Sequence, residues 1–178
     1  EYFPLPRAVQ LRVTVPRTVR SAARILTVSE FSRSAIARAF ALDPDSIAVA
    51  PGAAASSFRP IGRQTAEAWV RTRCGIRAPY VLTVGDLQPR KNQAGLIRAF
   101  AEAMRARPEL PHHLVLAGKD TWFAPSIHKT AQKSGLADRI RFTGFVGDED
   151  LLHLYNACDV FAFPSFYEGF GLPILEAM

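Results

Sequence analysis

The sequence has few cysteines and no long hydrophobic run, and these two absences exclude several classes of protein. Only Cys74 and Cys158 are present, 84 positions apart and outside any C-x-x-C pair. A disulfide framework and a zinc ribbon are therefore excluded, and a reduced, cytoplasmic compartment is expected. Apolar stretches such as 80–84 are far too short to span a bilayer, and no signal-peptide pattern opens the chain.

Lysine is also scarce, so the formal charge of +6 comes mainly from arginine, with 18 arginines against 4 lysines. Seven of the arginines fall in the first 40 residues, where only Glu1 and Glu30 are acidic. Such a surface fits phosphates, acidic lipid headgroups or nucleic acid. The alternative is a solvated surface of an arginine-rich composition. That alternative is favoured because no aromatic ladder or nucleic-acid motif accompanies the charge, and no specific nucleic-acid partner is predicted.

Beyond residue 62 the sequence alternates between strand and helix patterns. Short apolar runs predict strands at 80–85, 113–118, 140–144 and 159–165. Helical patterns lie at 63–74, 92–106, 124–134 and 148–158, and a last helix is predicted to begin near Leu172. Continuously apolar strands, separated by helices and short connections, indicate an α/β fold with a parallel sheet covered on both faces.

The first part of the chain is less regular. Strands are predicted at 25–28 and 46–52, with a helix between them that Ser29 caps. The small, proline-flanked stretch 51–62 is predicted to be a linker, which divides the chain into 1–50, 51–62 and 63–178. A doubly wound sheet normally adds strands after such a last helix, so we expect the chain to be part of a longer fold.

Ligands of parallel α/β sheets bind beyond the carboxyl ends of the strands, and the loop 165–173 is the most informative of the three loops there. Gly169 and Gly171 allow close backbone approach, and Pro173 suits a first helical turn. The amide groups of that turn suit a phosphate. Glu168 and Glu176 flank the turn, and Glu176 suits a pair of ribose hydroxyls. The alternative is a solvated glutamate favoured by the helix dipole.

The other loops at that edge are 85–93 and 118–122. Arg90 and Lys91 precede Asn92, a candidate helix N-cap. Two cations at a helix start oppose the dipole, and a bound diphosphate would remove that conflict. Two exposed cations on a turn remain the alternative.

Several other candidate motifs for ligand or metal binding are incomplete or have a structural explanation. The stretch "GFGLPI" lacks the third glycine of a dinucleotide fingerprint, and His113 stands where a P-loop needs its first glycine. The Asp-x-Asp pattern at 148–150 opens a helix, so capping and dipole compensation explain it better than metal binding. The histidines have no neighbouring ligand set, and no metal site is predicted.

Taken together, "FPSFYEGFGLPILEAM" and "VGDLQPRKN" resemble the retaining nucleotide-sugar glycosyltransferases of family 4, which have the GT-B fold of two facing Rossmann-like domains. Glu168 and Glu176 match the family's Glu-x7-Glu motif. Three further stretches follow the family pattern: "TVSEFSRSAIARAF", "VAPGAAASSFRP" and "RFTGFVGDEDLLHLYNACDVFAFPS". The resemblance implies a Rossmann-like parallel sheet of the C-terminal donor domain, incomplete, after the tail of the N-terminal domain.

The resemblance also implies roles for individual residues. Lys91 and Arg90 would neutralise the donor diphosphate, Glu168 would hold the donor sugar and Glu176 the ribose. The remaining donor-binding positions are Gly85, the backbone of Phe170, Gly171 and Leu172, and the backbone of Phe145 and Val146 for the base. The transferred sugar would keep its anomeric configuration, through same-face attack and without a metal or other cofactor.

The sequence also departs from the family pattern. Asp86 stands where many members have arginine, and Gly52 replaces a customary asparagine. The glycine-rich acceptor loop and the histidine of the N-terminal domain have no counterpart, so we expect the chain alone to be inactive.

The implied donor is a nucleotide-diphosphate sugar, and the "PRKN" form favours GDP-mannose or a UDP-hexose. The implied acceptor is a glycan or a lipid-linked glycan of polysaccharide biosynthesis. The remainder of the GT-B fold, from the same gene or another chain, is an expected partner. The expected location is cytoplasmic, with a place at the inner membrane surface. A non-catalytic nucleotide or nucleotide-sugar binding module remains the alternative, and a basic nucleic-acid or membrane-surface protein rests on charge alone.

Overall fold

A computed structural model describes residues 5–178, and in it the chain divides into two units. The first unit comprises the described residues up to Ala53 together with Glu168–Leu172. The second comprises Ala54–Tyr167 and Pro173–Met178. The stretch 51–62 contains no helix or strand.

The first unit contains two helices and a small parallel sheet. Helix α1 (Leu5–Ser21) precedes strand β1 (Ile25–Thr27), helix α2 (Glu30–Phe40) and strand β2 (Ile47–Val49). β1 and β2 pair in parallel, with Ile25 opposite Ile47. The Ser29 hydroxyl accepts the Ser32 amide at 3.0 Å, so the predicted cap of α2 is confirmed.

Helix α1 was not predicted. Its sequence is rich in β-branched residues and contains Pro16, and both features lower helix propensity. No residue of α1 is buried.

The second unit is built on a four-stranded parallel sheet, as predicted. Its strands are β3 (Tyr80–Val84), β4 (His113–Ala117), β5 (Ile140–Gly144) and β6 (Val160–Phe161), in the order β5-β4-β3-β6. The register places Tyr80 beside His113 and Leu114 beside Ile140. All four carboxyl ends therefore lie at one edge of the sheet.

Helices cover both faces of this sheet. On one side lie α3 (Arg63–Trp69), which continues as a π-helical turn over Val70–Cys74, and α6 (Asp148–Ala157). On the other side lie α4 (Gln93–Ala106) and α5 (Ala124–Lys133). Successive residues of β4 divide between the two cores, because strand side chains alternate in direction. The last helix, α7, spans Leu172–Ala177 and begins where it was predicted.

Two details differ from the predictions. β6 covers two residues of the predicted 159–165, since Pro164 lacks the amide hydrogen that a longer ladder needs. The acidic residues at 148–150 do not cap α6: Gly147 is the N-cap and makes no side-chain bond. The Asp150 carboxylate instead accepts from Trp69 Nε1 at 2.8 Å, while the negative charge still complements the helix dipole.

Candidate functional site

Backbone hydrogen bonds tie together the loops that follow β3, β4 and β5. The Gly85 amide donates to the Ala117 carbonyl at 2.8 Å, and the Gly118 amide donates to the Gly144 carbonyl at 2.9 Å. These bonds extend the sheet by one residue on each strand, so the three loops leave it at the same level.

Gly118 is required at this edge by its close neighbours. Its φ is +156°, and a Cβ there would lie 2.2 Å from the Gly85 carbonyl oxygen. No real Cβ approaches a backbone atom that closely, so only glycine allows the loops after β3 and β4 to run side by side.

Lys91 lies at the carboxyl ends of β3 and β6, in the 3₁₀ turn Pro89–Lys91. Its side chain runs past Gly85, where an added Cβ would be 3.0 Å from Lys91 Cε. Its ammonium nitrogen lies 5.2 Å from the centre of the Phe163 ring. Gly85 thus leaves the space through which the lysine reaches the edge, and the aromatic face stabilises the cation there.

Arg90 joins the same turn to the stretch after β6. Its Nη1 donates to the Tyr167 carbonyl at 2.8 Å, and its own carbonyl accepts the Phe166 amide at 2.9 Å. Asn92 is the N-cap of α4, as predicted, but it has φ +56° and makes no capping bond. Its side chain donates instead to the Pro164 carbonyl at 3.2 Å, so several hydrogen bonds join the turn to the stretch 164–167.

Two residues that the sequence reasoning did not assign shape the loop after β3. The buried Gln93 amide donates to the carbonyls of Gly85 and Asp86, at 3.2 and 2.9 Å. The Asp86 carboxylate accepts the Lys119 amide at 3.1 Å, which joins this loop to the one after β4. Asp86, at the position of the family's arginine, therefore has a structural partner of its own.

Glu176, on α7, is held by a buried tyrosine. The Tyr155 hydroxyl donates to Glu176 Oε2 at 2.9 Å, and Tyr155 is only 7% exposed. Burial, and next the hydrogen bond to Glu176, raises the pKa of Tyr155 above its ordinary value. The phenol therefore stays protonated and donates. This pair could not be predicted from the sequence, because the partners are 21 residues apart and on separate helices.

The predicted base-binding residues follow β5. Phe145 is 70% exposed, with Lys119 Nζ 4.7 Å from its ring centre. Val146 packs against the core that also contains Leu82 and Tyr155. The backbone of both residues lies directly beyond the carboxyl end of β5.

The stretch Glu168–Leu172 packs within the first unit. The Gly169 carbonyl accepts from the hydroxyls of Ser29 and Ser32, at 2.5 and 3.2 Å. An added Cβ on Gly52 would lie 3.3 Å from Leu172 Cδ2 and 3.6 Å from the Phe170 ring. Gly171 has φ +97°, a conformation that glycine adopts readily. Glu168 thus belongs to one unit and Glu176 to the other, and their joint role in donor binding stays a prediction.

Two features are absent from residues 5–178. Within this range no group of three or more histidine, cysteine, aspartate or glutamate side chains is placed to hold a metal ion. None of the helices in the same range is long and apolar enough to cross a membrane.

The model of the family "Glycosyl transferases group 1" matches residues 76–178, which contain the whole four-stranded sheet. The chain belongs to this family.

Relatives of this group 1 glycosyltransferase chain agree with that assignment. It is 38% identical over 180 residues to O-antigen chain mannosyltransferase B of Escherichia coli, covering 100% of this chain and 46% of that protein. It is 33% identical over 135 residues to mannosylfructose-phosphate synthase of Agrobacterium fabrum, covering 73% of this chain and 30% of that protein. The crystal structure of HepE from Anabaena in complex with UDP-glucose superposes with a TM-score of 0.76 and 26% identity, over 97% of this chain and 47% of HepE.

The fold of this group 1 glycosyltransferase chain is that of the GT-B enzymes. The chain spans about half the length of HepE and of the mannosyltransferase. Of the predicted site residues, the structure brings together Gly85, Arg90 and Lys91 around one turn of the second unit. It places Phe170, Gly171 and Leu172 beside Glu168 in the first unit.

Proposed function

We propose that this chain carries the nucleotide-sugar-binding part of a retaining hexosyltransferase. Within the group 1 family we assign it to the family 4 type, with Glu168 and Glu176 as its Glu-x7-Glu pair. The observation that carries the proposal is the fixed position of Lys91 at the carboxyl edge of the parallel sheet. That edge is where ligands of open α/β sheets bind, and an ammonium group there suits a diphosphate.

The arrangement around Lys91 supports charge stabilisation of a leaving group. Arg90 is held through its carbonyl and through one guanidinium nitrogen, so the turn has little freedom to move. A cation that is fixed before the reaction stabilises developing phosphate charge without reorganisation. In our proposal, the bond from the sugar to the diphosphate breaks beside Lys91, and the acceptor oxygen forms the new bond from the same face. The proton of the acceptor hydroxyl passes to the departing diphosphate. No metal ion or other cofactor is needed.

The Tyr155–Glu176 pair supports a role in ribose binding. A carboxylate whose Oε2 is occupied by a phenol keeps its second oxygen in a defined direction. That oxygen is suited to accept from a vicinal hydroxyl. The backbone of Phe145 and Val146 would meet the base, Glu168 would hold the donor sugar, and the amides of Phe170, Gly171 and Leu172 would hold its oxygens.

The relatives support the choice of donor and acceptor. The similarity to O-antigen chain mannosyltransferase B supports a mannosyl donor, for which we propose GDP-mannose, and a growing glycan or lipid-linked glycan as acceptor. The similarity to HepE, solved with UDP-glucose, supports a UDP-hexose instead. We propose one of these two donors, in polysaccharide biosynthesis on the cytoplasmic side of a membrane. The remainder of the GT-B fold would supply the acceptor site, so the chain alone would be inactive.

A donor-hydrolysis experiment tests this proposal without knowledge of the acceptor. The full-length protein is incubated with GDP-mannose or UDP-glucose in EDTA, and the anomeric proton of the first released sugar is followed by NMR. Both donors are α-linked, so a retaining enzyme releases the α anomer first. Release of the β anomer would contradict retention. Donor binding without release of free sugar or nucleoside diphosphate, even with crude glycan acceptors added, would favour the alternative of a non-catalytic binding module.

A further inference from the structure

A second concave site lies at the opposite end of the same sheet, where β3, β4 and β5 begin. It is a cavity of about 360 Å³, within the range of small-ligand pockets. Its ionisable lining comes from the turn before β3, the first residue of β4 and the start of β5: Arg77, His113, Asp138, Arg139 and Arg141. The candidate donor loops follow the other ends of these strands, so the two sites share no residue.

The cavity is positively charged, with three guanidinium groups against one carboxylate. Arg139 is fixed, because its Nη2 donates to the Leu110 carbonyl at 2.5 Å. Arg77 and Arg141 are exposed, and within residues 5–178 neither side chain makes a hydrogen bond or an ion pair. Their donors are therefore available to a ligand.

Gly75 allows Arg141 to reach across the cavity. Gly75 has φ +64° and precedes β3, and Arg141 Nη2 lies 4.0 Å from the position of an added Cβ on Gly75. Because β4 lies between β5 and β3 in the sheet, the Arg141 side chain extends past the start of β4. Guanidinium groups from both sides of the cavity thus converge on one space.

We propose that this cavity binds a phosphate ester that carries hydroxyl groups. Arginine guanidinium groups match the oxygens of phosphate in a bidentate manner. The Asp138 carboxylate repels a bare anion but accepts from a ligand hydroxyl, so it selects an ester with hydroxyls over inorganic phosphate. Two sources share this chemistry: a soluble polyol phosphate, and the headgroup of phosphatidylglycerol.

The first test is an NMR titration of the purified protein with glycerol 3-phosphate and with inorganic phosphate. One titration series contains UDP and a second series omits it, so that the outcome is independent of the donor site. Glycerol 3-phosphate should shift the amide signals of Gly75, Arg77 and Arg141. The double substitution Arg77→Ala with Arg141→Ala should weaken its binding about tenfold or more, as expected for charged hydrogen bonds. Arg71→Ala, which removes an exposed arginine outside the cavity, should leave binding unchanged.

The substitution Asp138→Ala separates the proposal from a simple basic patch. It should weaken binding of glycerol 3-phosphate while it strengthens binding of inorganic phosphate, because alanine removes both the negative charge and the hydroxyl acceptor. An equal gain for both ligands would contradict the proposed selectivity.

Vesicle cosedimentation distinguishes the two sources. With phosphatidylglycerol in phosphatidylcholine vesicles, a loss of cosedimentation in the double variant, but not in Arg71→Ala, would identify the lipid headgroup. Binding of glycerol 3-phosphate with equal cosedimentation of both variants would identify the soluble ester. If neither glycerol 3-phosphate binding nor cosedimentation responds to the loss of Arg77 and Arg141, the proposal is wrong.

Discussion

At the scale of single residues, the hydrogen bond between Tyr155 and Glu176 has the most direct consequence for function. Tyr155→Phe keeps the ring and removes only the hydroxyl that fixes Glu176 Oε2. A neutral buried hydrogen bond contributes about 0.5–1.5 kcal/mol, and one to a charged group about 1.5–3 kcal/mol. We expect the dissociation constant for UDP or GDP to rise several-fold in this variant, as measured by calorimetry.

Tyr80→Phe is the matched control for that substitution. It also removes a buried tyrosine hydroxyl, one that donates to the Leu154 carbonyl at 2.8 Å in the same core. It should lower thermal stability without changing nucleotide affinity. A similar loss of affinity in both variants would mean that Tyr155 acts only through general stability.

The Cys158 thiol predicts how stability changes in alkali. Burial, with a smaller contribution from Asp159, raises the pKa of Cys158 from its ordinary value of 9.0 to about 11. The folded state therefore retains the thiol proton where the unfolded state loses it. The resulting contribution to stability is complete below pH 9 and is lost as the pH rises towards 11.

Thermal midpoints measured from pH 8 to 11 in the wild type and in Cys158→Ser test this expectation, because serine does not titrate in this range. The wild type should lose more stability across the interval from 9 to 11 than the variant does. Parallel curves would show that Cys158 contributes nothing to the alkaline loss, which would then belong to other buried groups such as Tyr80.

At the scale of elements, the close packing of two loops at the carboxyl edge makes Gly118 a critical position. Gly118→Ala would force a Cβ to within 2.2 Å of the Gly85 carbonyl oxygen, so the loops after β3 and β4 must separate. We expect a large loss of thermal stability together with weakened nucleotide binding, because Gly85 also leaves the space for Lys91. Gly147→Ala is the control, since nothing lies within 4 Å of its added Cβ. Equal stability of the two variants would contradict this description of the edge.

The sequence allowed most of the second unit to be predicted, and the physical reason is burial. β3 and β4 are short apolar runs covered on both faces, and their boundaries agree with the predictions to within one residue. The edge strand β5 also has its predicted boundaries, although only Ile140 in it is buried. Helix α1 was missed because its β-branched residues and Pro16 lower helix propensity, and β6 was predicted too long because an apolar run continued past its last ladder bond.

The candidate site could be predicted only in part. The position of Lys91 beyond β3 followed from the parallel-sheet pattern and loop placement. Its neighbour Phe163, the phenol on Glu176 and the seryl hydroxyls on the Gly169 carbonyl did not. Those partners are distant in sequence, and only the packing of the elements brings them together.

At the scale of the whole molecule, the two units divide the predicted donor-binding residues between them. Glu168–Leu172 lies with the first unit, while the loops after β3 and β5 lie with the second. We propose that the carboxyl edge of the second unit binds a nucleotide diphosphate through Lys91.

Calorimetric titration of UDP and GDP, in EDTA, into the wild type and Lys91→Ala tests this proposal. Lys129→Ala, which removes an exposed lysine on α5, is the control. We expect binding without metal, a loss of affinity of about tenfold or more in Lys91→Ala, and no change of affinity in the control. The loss should be smaller for UMP and GMP, which lack the second phosphate. Equal affinity in the two lysine variants, or binding that appears only with added magnesium, would contradict the proposed role of Lys91.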